Sequence, residues 1–342
     1  MVKERIEWID VSKGMGILLV IIGHCVYFGK FVHNWIFSFH MPLFFILSGL
    51  FFQKNTLQNF FFKKTKQLIF PYIIFCIIGI IITLIIPQWR YITFTEILKD
   101  IYLGYPNSIN ISSIWFLICL FIAMLLLNLI LHILKKNALI GYSVLFFIIL
   151  YGFILGRFPK ILSIFPLKRM PFDSDSACVA LLFLWIGYQF KEQILKIIEL
   201  FNDKSLLQKW MLIIISLTIS ITLVLLNGRV NLHGITFNNE LFYITESIIG
   251  FIFVIFLSQI LVLQKVLANF LKWFGTNSLK IMGTQAIVIR LFLLIINRLT
   301  KQQYSLYSFP PFYSIIGSIF TILVSGVVII GFNFIVRNLN SK

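Results

Sequence analysis

The sequence predicts an all-α protein, a polytopic membrane helical bundle with about ten transmembrane helices. Three observations carry that expectation. Hydrophobic residues make up 59% of the 342, charged residues only 12%, and the mean hydropathy is +0.96. A soluble domain carries about 25% charged residues to stay in water, so soluble enzymes, nucleic-acid-binding domains and disordered chains are excluded. The net charge of +17 would suggest nucleic acid in a soluble protein. Here the cations lie between apolar runs, and no nucleic acid partner is expected. Cys25, Cys76, Cys119 and Cys178 lie in or beside apolar runs without CxxC spacing, which reads as packing rather than a disulfide framework or a metal site.

A hydrocarbon core of about 30 Å needs about 20 mostly apolar helical residues. Ten runs are candidates, at roughly 12–29, 35–52, 68–86, 113–134, 138–156, 176–190, 210–227, 241–263, 279–297 and 314–336. The sixth is short, and polar residues interrupt the first two. Lys3 and Arg5 precede the first run, but Lys13 interrupts its start and no small-x-small cleavage site follows. It is therefore read as a mature span rather than a signal peptide. Lipid-facing irregular backbone is forbidden, so the spans are expected to pack as helices. With the N-terminus inside, sixteen lysines and arginines fall in inner segments and ten in outer ones. That bias puts both termini in the cytoplasm. No connection exceeds about two dozen residues, so 1–342 reads as one membrane domain. Homo-oligomerisation is left open.

Ionisable groups inside spans are costly, which makes each a functional candidate. Lys13 and His24 are 11 residues apart, which returns to nearly the same helix face and spans about 16 Å. A cation near the inner surface and an imidazole deeper in the membrane are then separated by roughly the reach of a pantetheine arm. His40 precedes Pro42, which removes a backbone donor and favours a kink or break. It lies at a depth similar to His24. Glu246 and Arg290 could pair as buried ions. Asp173 and Asp175 open the sixth span, where a helix N-terminus favours anions. Asp10 can neutralise Lys13. Trp115, at the outer end of the fourth span, reads as an interfacial anchor. No P-loop, GxSxG, HExxH or Rossmann fingerprint is present, so ATP-driven transport and metalloprotease chemistry have no support, and no metal is expected.

The segment Arg5 to Gly14 with Gly23-His24, then Phe39-His40-Met41-Pro42-Leu43-Phe44-Phe45 and Ser48-Gly49, resembles the integral-membrane acyltransferase-3 family, closest to its fucose 4-O-acetylase-like branch. Lys63, Lys64 and Lys66 before Pro71-Tyr72, Trp115-Phe116-Leu117, Pro171 to Asp175 with Gly187, Asn227-Gly228 and Gly275 to Leu279 are similar more loosely. One departure is Gln285, where relatives often carry His. The resemblance implies a multi-pass protein of the bacterial cytoplasmic membrane that moves an acetyl group from cytoplasmic acetyl-CoA to a hydroxyl of a cell-surface or lipid-linked sugar. It implies no permanently bound cofactor. His24 is then the general base, with His40 orienting it or polarising the thioester. Lys13, Lys63, Lys64 and Lys66 hold the CoA phosphates. Asp10, Asp175, Glu246 and Arg290 line or support the acceptor path. The alternative is an exporter or flippase of polysaccharide or lipid-linked sugar without acyl transfer, which should show broken helices or internal repeats. Pro42 marks the one broken-helix candidate.

Overall fold

A computed structural model describes residues 6–25, 30–89, 93–304 and 310–340. Lys3, Arg5, Arg90 and Lys342 of the topology argument, and positions 26–29 of the first predicted span, lie outside these residues. The described chain is helical, with a single isolated bridge between Asn231 and Thr236. Its helices are α1 (Glu7–His24), α2 (Lys30–Leu50), α3 (Leu57–Lys64), α4 (Phe70–Ile85), α5 (Phe94–Leu103), α6 (Trp115–Lys136) and α7 (Ala138–Arg157). They continue with α8 (Ser174–Gln189), α9 (Lys191–Asn202), α10 (Leu206–Asn227), α11 (Glu240–Val262), α12 (Lys265–Thr276), α13 (Ser278–Thr300) and α14 (Pro311–Asn340).

Among the described residues, eight helices are long and apolar enough to cross a membrane. The remaining two predicted spans are also helices, but shorter: α1 has 18 residues and α8 has 16. Glu7, Asp10 and Lys13 make α1 the more polar of the two. The third predicted span is longer than expected. A π-helical turn at Thr65–Ile69 joins α3 to α4, giving one continuous helix from Leu57 to Ile85. A π turn lets a helix absorb one extra residue, here just before Pro71, whose ring supplies no N–H. The sequence reading left connections where α5, α9 and α12 stand. Each has 10 to 12 residues, too few to register as a span.

The chain packs as two compact units. The first comprises residues 1–36 and 254–342. In it α1 packs most extensively on α12, and also on α13 and α14. A Cβ on Gly14 would collide with the carbonyl oxygen of Leu271, and one on Gly275 with that of Asp10. Two glycines, one from each helix, therefore set the α1–α12 separation, as small residues do at membrane helix crossings. On α14, Ser314, Ser318, Thr321 and Ser325 are all buried. Their spacing of four, three and four puts them on one helix face. Cys25 Sγ lies 3.5 Å from Thr321 Oγ1 of that face.

The second unit comprises residues 37–253, with α6, α7 and α8 packed against one another. Gly49 of α2 and Gly187 of α8 repeat the paired-glycine crossing: a Cβ on either would strike the facing backbone at Leu184 or Ile46. The break expected at Pro42 does not occur, since α2 stays helical from Lys30 to Leu50. Pro42 cannot donate to the carbonyl four residues earlier, that of Ser38. The hydroxyl of Ser247 on α11 donates to that carbonyl instead, at 2.8 Å. Gly250, one turn further along α11, leaves room for Phe39. A freed carbonyl in an apolar interior needs such a partner, and supplying one lets the helix run through.

Candidate functional site

The candidate residues of the first unit sit mainly on α1. Lys13 and His24 are both half-buried, and His24 is the last residue of the helix. Both lie on the helix that the glycine crossing fixes against α12. Asp10 is 7% exposed. It lines a polar cavity of about 370 Å³ with Glu7, Asn269, Lys272, Trp273 and Thr276. At its rim Lys272 Nζ and Glu7 Oε1 form an ion pair at 2.9 Å. Gln285, which stands where relatives often have His, is fully buried on α13. Neither of its amide atoms has a hydrogen-bond partner among the described residues, and the same holds for the hydroxyls of Ser12 and Ser325. Orphaned buried polar groups are rare enough that each asks for a water, an ion or a ligand. Arg290 lies half-buried on α13.

In the second unit, His40 is 3% exposed, and its ring centroid is 4.8 Å from that of Phe37. Lys63 and Lys66 are exposed and Lys64 is half-buried. The three lysines fall within one helical turn at the α3–π junction, with Lys64 Nζ 5.6 Å from the Phe60 ring centroid. Glu246 is fully buried on α11. Its Oε2 accepts from Asn227 Nδ2 at 3.3 Å, while Oε1 has no hydrogen-bond partner among the described residues.

Asp173 corrects the sequence reading in part. It occupies the N-cap position of α8 but its side chain caps nothing, whereas Asp175 Oδ1 accepts from the backbone N–H of Ser176 in the first turn at 2.9 Å. Both carboxylates also serve Arg169. Arg169 Nε donates to Asp175 Oδ2 at 2.6 Å, and Nη2 donates to Asp175 Oδ1 at 3.0 Å and to Asp173 Oδ1 at 2.7 Å. The same Nη2 donates to the backbone carbonyl of His233 at 2.8 Å, which Ser176 Oγ also approaches at 3.0 Å. His233 Nδ1 lies 3.0 Å from Asp173 Oδ1. Burial works against the Arg169 charge, but the hydrogen bond and charge of Asp175, with Asp173, outweigh it and hold its pKa above the usual value. Burial pushes the Asp173 carboxyl up, although His233 and Arg169 pull it back.

Trp115 is a second correction. It is buried, at 7% exposure, rather than an interfacial anchor. Its ring centroid is 4.7 Å from His233, and Tyr105 approaches the same imidazole at 4.2 Å. The imidazole is thus in contact with two aromatic rings. Sequence reasoning missed Arg169 and His233 as site residues because each sits in a polar connection. No short motif joins positions 64 residues apart. The serine–threonine face of α14 was legible in principle, since its four residues recur at helical spacing in an apolar run.

These helices, glycine crossings and intramembrane polar groups define a multi-pass membrane protein with polar chemistry inside its bundle. A family model described as an acyltransferase domain, acyltransferase-3, matches residues 6–330. The chain therefore belongs to the acyltransferase-3 family and is a membrane acyltransferase. No curated protein and no solved structure matches it.

Proposed function

We propose that the protein moves an acetyl group from acetyl-CoA to a hydroxyl of a cell-surface or lipid-linked sugar, as in the fucose 4-O-acetylase-like branch. The whole chain acts as one acyltransferase domain in the bacterial cytoplasmic membrane with both termini in the cytoplasm. The observation that carries this reading is α1, where Lys13 and His24 stand 11 residues apart on one continuous helix, about 16 Å along its axis.

In this reading an imidazole, which titrates near neutrality, takes the proton of the acceptor hydroxyl as its oxygen attacks the thioester carbonyl. The C–S bond breaks, the ester C–O bond remains, and the CoA sulfur leaves with the proton returned by the imidazolium. Lys13, Lys63, Lys64 and Lys66 hold phosphates as point charges. Asp10, Asp175, Glu246 and Arg290 support the acceptor side, Asp175 through its ion pair with Arg169. His40 is assigned a catalytic role that a His40→Gln variant tests separately.

His24→Ala in the full-length membrane protein should abolish transfer of radiolabelled acetyl from acetyl-CoA to glycan while leaving membrane insertion intact. Persistent labelling would remove His24 from catalysis. Lys13→Ala should chiefly raise the donor KM, and an unchanged donor KM would remove Lys13 from the CoA site. The exporter alternative loses its one broken-helix candidate, because α2 is continuous through Pro42.

A further inference from the structure

The Arg169–His233 cluster has features that a structural ion pair does not require. One guanidinium faces two carboxylates, Asp173 at 1% and Asp175 at 0% side-chain exposure. That excess of carboxyl groups over guanidinium disfavours an anionic ligand. Asp173 Oδ1 is occupied: it accepts from Arg169 Nη2, and from Ser176 Oγ at 3.1 Å. Asp173 Oδ2 is buried and has no hydrogen-bond partner among the described residues. A buried carboxylate oxygen left open costs about as much as a lost charged hydrogen bond, unless something donates to it.

The imidazole tells the same story. His233 Nδ1 is 3.0 Å from Asp173 Oδ1, yet it meets no full hydrogen-bond geometry among the described residues. With Nδ1 carrying the hydrogen that faces the carboxylate, Nε2 is the lone-pair acceptor. The side chain keeps 17% exposure, so the ring is reachable.

The backbone is held in an unusual state to arrange this. Phe172 and Asp173 both have left-handed backbones, with φ of 57° and 56°. Two such non-glycine residues in succession persist only where surrounding contacts over-determine them. Tyr102 of α5 helps, since its hydroxyl donates to the carbonyl of Arg169 at 3.3 Å. The loop carrying His233 is closed by the Asn231–Thr236 bridge, and Gly234 N donates to Asn231 Oδ1 at 3.2 Å.

We propose that Asp173 and His233 form a binding site for an uncharged polyhydroxyl ligand, with Asp173 Oδ2 and His233 Nε2 each accepting a hydrogen bond from a ligand hydroxyl. Two acceptors call for a donor-rich molecule, and an uncharged one, such as a sugar ring, avoids the cost of burying an ammonium. That this ligand is the acyl acceptor rests on the acyl-transfer reading; that a polyol binds here does not.

The test uses full-length protein in detergent micelles. Saturation-transfer NMR is run with methyl glucoside, methyl galactoside and methyl N-acetylglucosaminide, and with butylammonium as the competing probe. Asp173→Asn keeps Oδ1 for Arg169 and converts the open oxygen to an N–H donor. His233→Phe keeps a ring between Tyr105 and Trp115 but removes both nitrogens. At least one glycoside should bind the wild type, and both variants should weaken it by roughly tenfold to a hundredfold. Glu199→Ala, on the exposed side of α9, should bind it as the wild type does. Wild-type affinity in His233→Phe, preference for butylammonium, or no glycoside bound would each overturn the site. Thiol release from acetyl-CoA separates the two claims. Glycoside binding without any turnover sinks the acyl-transfer reading and leaves the site. Turnover with an acceptor KM unchanged in both variants overturns the assignment of this site to the acceptor and leaves the acyl-transfer reading.

Discussion

The α1–α12 crossing and the Arg169–His233 cluster hold their units together by opposite means. At the crossing, two glycines let backbones touch, and the contact needs no charge: Gly14 meets Leu271 and Gly275 meets Asp10. In the cluster, a guanidinium and two carboxylates hold irregular backbone that has no helix of its own. The first arrangement is dispersion at close range, which membranes favour because lipid offers no hydrophobic drive between helices. The second needs every charge to find its counterpart, or burial becomes a penalty. Where segments are helical, shape suffices; where the chain leaves the helix, polar partners must replace its hydrogen bonds.

The largest effect is expected from forcing the crossing apart. Gly275→Val places a branched side chain into the Asp10 carbonyl, with no flexible atom to yield. It should cost more than about 4 kcal/mol and show as loss of monodisperse protein after detergent extraction. Next is Arg169→Ala, which strands two buried carboxylates and should cost about 3–5 kcal/mol, read as a fall in the unfolding midpoint. Adding Asp175→Asn should recover part of the loss. If Arg169→Ala alone were neutral, the contrast between a shape-held and a charge-held region would fail.

A subtler variant probes the boundary between the two modes. Ser247→Ala removes the hydroxyl that donates to the Ser38 carbonyl beside Pro42, at about 1–3 kcal/mol. In a Pro42→Ala background the same change should cost less, and a double-mutant cycle measures the difference. Smallest is Glu7→Ala. Its partner Lys272 is a surface contact, with Glu7 56% exposed, so the loss should stay within about 1 kcal/mol and vanish at high salt.

The same contrast explains what the sequence could show. Eight spans were legible as apolar runs because a bilayer enforces composition over about 20 residues. α1 was also read as an apolar run, from residue 12, and its charged first turn from Glu7 fell outside the predicted span. α12 was not found, since a 12-residue amphipathic helix is hidden in a window suited to spans. The continuity of α2 through Pro42 was not legible, because the donor to the Ser38 carbonyl comes from Ser247, more than 200 residues away. Trp115 was misread for a related reason. An aromatic at a span end normally meets the interface, and only the fold reveals that His233 covers its ring. Arg169, Asp173 and His233 carry ordinary loop chemistry one by one, and their meaning lies in the distances between them.

The continuous helix from Leu57 to Ile85 has a mechanical consequence. Its 29 residues measure about 43 Å, against a hydrocarbon thickness of about 30 Å. The helix must tilt or overhang, and its lysine-bearing end reaches headgroup depth. Lys63, Lys64 and Lys66 then share a layer with lipid phosphates, whose negative surface potential attracts cations. Any soluble phosphate carrier docking on those lysines displaces lipid to do so. For the donor site proposed above, donor affinity should therefore fall as the surrounding bilayer becomes more anionic, with the membrane competing for the same lysines.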